Sequence, residues 1–165
     1  MPLIKLFLDI CFFRRGPESV PRSGFLLVLT LLLNLLTSLI LGWIETDLQQ
    51  GALQALVAVS LLAVYLCMLL WLVGKVERTV QTLTAALACD GLFTGVALVL
   101  TLLTPLLSGS WAGAVWLGLM IWEIGVIGHI LRRALGWPFA GGLALALAYM
   151  LLSIRTMMAL FPDMS

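Results

Sequence analysis

Three side chains with proton or cation chemistry fall in otherwise apolar stretches: Asn34 in TLLLNLLTSLILGW, Asp90 in AALACDGLFTG and Glu123 in WLGLMIWEIGVIGH. An ionised carboxylate in hydrocarbon costs at least about 2.5–3.5 kcal/mol. Asp90 and Glu123 therefore constrain whatever surrounds them. At least one of the two is expected to be protonated at neutral pH, or the pair to share a proton. Asn34, with two N–H donors, is the available partner, and Thr94 lies one turn beyond Asp90 on nearly the same face. Such a layer can serve as a proton or cation site. It can also hold helices together through hydrogen bonds, and that is the preferred reading. No His or Cys is placed to complete a metal-ligand set. No GxSxG or HExxH pattern is present, so the chain reads as non-enzymatic and no cofactor is implied.

The surroundings of these residues identify the solvent. Of 165 residues, 62% are hydrophobic and 10% charged, against about 45–50% apolar in soluble domains. Mean hydropathy is +1.16. The lipid bilayer is the main environment. A net charge of +1 gives no basic surplus for nucleic acid and no acidic arm. Cys11, Cys67 and Cys89 show no CxxC spacing and read as small core hydrophobes.

Five long apolar runs follow a short N-terminal one. Residues 1–13 are too short to cross a core of about 30 Å and read as an amphipathic helix in the cytoplasmic interface, its apolar face in lipid or against the bundle. Arg14 to Ser23, rich in Arg and Pro, is a loop. The spans are placed at about 25–44, 52–73, 79–107, 111–131 and 139–160, within one domain covering 24–165. Acidic residues follow the first span. Gly74 and the cluster Lys75, Glu77, Arg78 close the second, and Pro105 with the turn at Ser108 to Ser110 ends the third. The fold class is all-α, a polytopic transmembrane bundle.

Orientation comes from basic residues in short loops. Arg14, Arg15, Arg22, Lys75, Arg78, Arg132 and Arg133, together with Lys5, share the side of the N-terminus, where they can meet lipid headgroups. The N-terminus is expected in the cytoplasm and the C-terminus outside. Trp43, Trp111 and Trp137 fall at span ends, as interfacial tryptophans do. At about 1.5 Å per residue, Asp90 lies roughly 16 Å from one surface and Glu123 roughly 18 Å from the other. Asn34 lies at similar depth.

Gly91, Gly95, Gly118 and Gly125 are candidate helix-packing positions, and they point to the third and fourth spans as a closely packed pair. His129 reads as an interfacial side chain near Arg132 and Arg133. Arg155 is expected to snorkel outward. Met157 and Met158 read as lipid or bundle contacts.

The order of features resembles the Yip family of small five-span membrane proteins. The resemblance rests on LIKLFLDICFFRRGPESVPRS ahead of the first span, on the glycine-led polar entry GKVERTVQTLTAALACDGLFTG, and on the closing hairpin. Where the family's third span has a helix-breaking proline, this chain has CDGLF. The domain that eukaryotic members use toward Rab proteins has no counterpart here, so that partner is not implied. The resemblance implies a non-enzymatic bacterial inner-membrane protein; the preferred role is an accessory, scaffold or assembly subunit with a membrane-protein partner or a second copy of itself. The alternative is a proton- or ion-coupled transport subunit using Asp90 and Glu123.

Overall fold

In the computed structural model, which describes residues 3–103 and 111–161 and only the backbone of Ala112, the chain is all-α. A short helix, α1 (Leu3–Cys11), precedes five long ones: α2 (Gly24–Glu45), α3 (Leu48–Leu72), α4 (Thr79–Leu103), α5 (Trp111–Leu135) and α6 (Phe139–Leu160). Each long helix has 22 to 25 residues. At about 1.5 Å per residue that suffices to cross a hydrocarbon core of about 30 Å. The protein is an integral membrane protein with five candidate spans.

Local chemistry sets the helix ends. Ser23 Oγ accepts the Leu26 N–H (3.4 Å) and Asp47 Oδ1 accepts the Gln50 N–H (2.7 Å), capping α2 and α3. Asp47 thereby draws Leu48 to Gln50 into α3, which starts four residues before the expected Ala52. Gly74 and Gly136 adopt φ of +71° and +69° after α3 and α5, and the following N–H groups, of Lys75 and Trp137, return to the carbonyls of Leu70 and Arg132. The turn at Gly136 lets α5 continue to Leu135, a turn past the expected end at 131. Pro105, Ser108 to Ser110, Pro162 and Asp163 lie outside the described residues.

Helices α2 and α3 form one hairpin and α5 and α6 another, with α4 between them. The glycine pattern pointed to α4 against α5, but α4 seats most extensively on α2, and α5 on α6. Of the four predicted packing glycines, Gly91 faces Asn34, where an added β-carbon would stand 3.3 Å from its Cα. Gly125 receives the Phe13 ring instead of another span, while Gly95 and Gly118 face open space. The closest backbone approaches join Gly42 to Gly51 across the first hairpin and Gly128 to Gly142 across the last.

Burial is uneven along the membrane normal. The buried residues Leu62, Leu66, Leu83, Leu87, Ile127 and Leu131 pack in the half nearer Lys75, Arg78, Arg132 and Arg133. In the opposite half, Trp111 and 113–118 of α5 are all exposed. The bundle tapers closed at its basic end and opens at the other.

The N-terminal helix lays its apolar face against the bundle, one of the two expected placements, and keeps Leu3, Ile4 and Leu8 exposed. Leu6, Phe7, Ile10 and Cys11 join a core with Ala85, Cys89, Phe93 and Val126. Trp122, halfway along α5, donates its indole N–H to the Cys11 carbonyl (3.0 Å). The chain then turns back through Phe13, whose φ of +62° is strained for a bulky residue. Its ring is held edge-on against His129, centroids 5.3 Å apart. Asp9 pairs with Arg14 (3.9 Å) and Arg15 (3.6 Å).

A β-carbon at Gly51 would lie 2.7 Å from the Gly42 carbonyl carbon. Gly51→Leu is therefore expected to lower thermal stability in detergent by about 1–3 kcal/mol, and Gly95→Leu to leave it unchanged. Equal melting of the two variants would contradict this packing.

Candidate functional site

Asn34, Asp90 and Glu123 lie ten to twelve residues from the basic ends of α2, α4 and α5, roughly 15–18 Å deep. They meet in the folded chain. Asn34 is fully buried, and its Nδ2 donates to Asp90 Oδ2 (2.7 Å) and to the Leu87 carbonyl (3.1 Å). The carboxyl groups of Asp90 and Glu123 hydrogen-bond to each other. One contiguous polar link therefore runs α2, α4, α5, though α4 and α5 are not the best-packed pair.

A carboxyl–carboxyl hydrogen bond needs a proton between the two oxygens, because two carboxylates have only acceptors. The geometry therefore accommodates a shared or retained proton. Among the described residues neither acid forms an ion pair. Arg155 is exposed on α6 and makes none among the described residues either.

Tyr149 extends the layer to α6. It stands close enough to both acids to feel their charge. Its ring packs against Tyr65 of α3, centroids 5.3 Å apart, and the Tyr65 hydroxyl donates to the Leu145 carbonyl (2.7 Å). Neither tyrosine stood out in the sequence, though counting ten residues into α6 reaches Tyr149 at the depth of Asn34.

Three cavities border this layer. One of about 480 Å³ lies between α2, α4 and α5, with Glu123 and Thr94 among aromatic and aliphatic walls that include Phe93 and Trp116. A smaller one of about 250 Å³ shares Leu41 and Thr94 with it and leads past Ser38 and Gln54 to Glu45 near the open end. The third, about 560 Å³, lies on the other side of Asn34, between α1, α2 and α4. Asn34 and Glu123 thus face different cavities.

Several basic residues expected at lipid headgroups are engaged within the protein. Lys75 Nζ donates to the Leu135 carbonyl (2.6 Å) and Arg78 to that of Ala134 (3.3 Å), so both satisfy free carbonyls at the C-terminus of α5. Arg133 pairs with Glu18 (3.6 Å), and Arg22 donates to the Gln81 side chain (3.2 Å). Arg132 stacks on Phe139 at 5.4 Å. Arg14 keeps most of its side chain exposed, at 75%.

His129 is buried, correcting its reading as an interfacial side chain. The returning segment 12–16 covers it, and its Nε2 lies 2.8 Å from the Arg15 carbonyl. Cys11 and Cys89 are buried in one core cluster, as core residues should be, but Cys67 is exposed on α3. Among the described residues no group of three or more His, Cys, Asp or Glu could hold a metal ion. No family model, curated protein or solved structure matches the chain.

If the Asn34–Asp90 hydrogen bond links α2 to α4, a double-mutant cycle of Asn34→Leu and Asp90→Leu, read by unfolding in mixed micelles, should give a coupling of about 0.5–2 kcal/mol. Asp90→Asn, which keeps an acceptor, should lose less than Asp90→Leu. Strict additivity would mean that the contact contributes nothing.

Proposed function

We propose that this protein is a non-enzymatic accessory or assembly subunit of a larger complex in a bacterial inner membrane, with its N-terminus in the cytoplasm. The observation that carries this reading is the open half of α5. Trp111 and 113–118 are exposed, and β-carbons added at Gly113 and Gly118 would meet nothing within 4 Å. Bare small residues on a helix in lipid let the backbone of another helix come close. Gly95 of α4 offers a second such position. The cytoplasmic orientation follows the concentration of basic residues at one end. Kinship with the Yip family belongs to the same proposal and rests on the order of features alone.

A second reading, a proton- or cation-coupled transport subunit, is supported by Glu123, whose carboxyl borders the 480 Å³ cavity while bonded to Asp90. It would require partner helices to complete a path, since residues such as Leu62, Leu66 and Leu131 fill the basic end.

On the accessory reading, tagged protein extracted gently from its native membrane brings a stoichiometric partner, or a second copy, that mass spectrometry identifies. Gly118→Leu should abolish that association without changing the melting temperature; an unchanged partner set would place the interface elsewhere. On the transport reading, proton flux into liposomes disappears with Glu123→Gln, and absence of flux under every ion gradient removes it.

A further inference from the structure

The cavity between α2, α4 and α5 combines an apolar wall with one acid. Leu41, Phe93, Ala97, Trp116, Leu117 and Met120 form most of the wall, while Thr94 and Glu123 bring a hydroxyl and a carboxyl to it. Glu123 is only partly buried, so it is reachable from the cavity that it lines. The volume of about 480 Å³ lies within the roughly 300–1,000 Å³ of small-molecule sites. The bond between Asp90 and Glu123 requires one proton, and with that proton alone the pair carries a single negative charge. Among the described residues no lysine or arginine pairs with either acid, and an ionised carboxylate is costly at this depth. The adjoining cavity of about 250 Å³ shares Leu41 and Thr94 and leads past Ser38 and Gln54 to Glu45 at the open end. Neither described lining contains a lysine, arginine or histidine to oppose a cation.

We propose that the cavity beside Glu123 binds a lipophilic organic monocation, its charged head against the Glu123 carboxylate and its hydrocarbon body against α2, α4 and α5. The donor set decides against an inorganic divalent ion. Calcium or magnesium takes about six oxygens or more, and the lining side chains supply those of Glu123 and Thr94. A proton alone needs no cavity of this size. An organic cation brings its own apolar surface, and the rings of Phe93 and Trp116 suit a weakly hydrated head. A lipid acyl chain would fill the volume and leave the charge unpaired. The acidic and amide side chains of Glu45 and Gln54 mark the open end as the side of entry. The proposal rests on the transport reading in using Glu123, but binding itself requires no flux.

The test uses the full chain in nanodiscs of zwitterionic lipid with two diazirine-bearing probes of one shape: an alkyl trimethylammonium and its uncharged isostere, in which a tert-butyl group replaces the head. Mass spectrometry maps the adducts. The ammonium is expected to label the cavity-lining peptides of α4 and α5 roughly tenfold more than the isostere. Glu123→Gln, which keeps the side-chain shape and can still bond to Asp90, should remove that excess. Ala97→Phe, which fills the cavity about two turns from Asp90, should reduce ammonium labelling about tenfold and serves if the first variant misfolds. Equal labelling by the two probes, an excess that survives Glu123→Gln, or ammonium labelling unchanged in Ala97→Phe overturns the proposal. Labelling as expected without flux in liposomes supports the site and removes the transport reading, whereas proton flux without ammonium labelling overturns the site alone.

Discussion

The 2.7 Å hydrogen bond from Asn34 to Asp90, continued to Glu123, is the contact on which this arrangement depends. Inside a bilayer, polar side chains lack water as an alternative partner, so they must find one another or remain at a cost. Satisfying Asp90 requires α2 on one side of α4 and α5 on the other. That requirement sets the order of the helices around α4. Gly91 serves the same contact, since its missing side chain lets α4 approach the Asn34 backbone.

Much of this was legible in the residues. Length and hydropathy placed five spans, and equal depth brought Asn34, Asp90 and Glu123 into one layer that the fold assembles. Helix pairing was not legible, because small residues recur so often in apolar runs that Gly95 and Gly118 resemble Gly42 and Gly51 until neighbours are known. For the N-terminal helix the residues left two partners open, lipid or the bundle, and the fold takes the bundle. An amphipathic face shows that a helix has an apolar partner, but the same face suits a headgroup region or the side of α4. His129 was hidden because what covers it, Phe13 and the Arg15 carbonyl, lies more than a hundred residues away in sequence.

The basic end shows how one set of charges can serve two purposes. Lys75 and Arg78 sit where a cytoplasmic loop would carry positive charge, and they also close the carbonyl end of α5. A reading by charge count sees only the first purpose. Segment 12–20 adds to the closure by folding over His129 and reaching Gln81, whose side-chain amide donates to the Val20 carbonyl (2.6 Å). Strain at Phe13 is offset there by a ring that fills the space beside Gly125.

The turn between α2 and α3 has a mechanical consequence. Only Thr46 and Asp47 separate the two helices, and their backbones touch at Gly42 and Gly51, so the pair has almost no internal freedom. The same holds for α5 and α6 through Gly128 and Gly142. Because α4 adheres mainly to α2, the molecule is kinematically two rigid pieces. Relative displacement between them must stretch the contacts that join them, Asp90 with Glu123 where α4 meets α5, the Tyr65 hydroxyl with the Leu145 carbonyl where α3 meets α6, and Lys75 with the Leu135 carbonyl at the basic end.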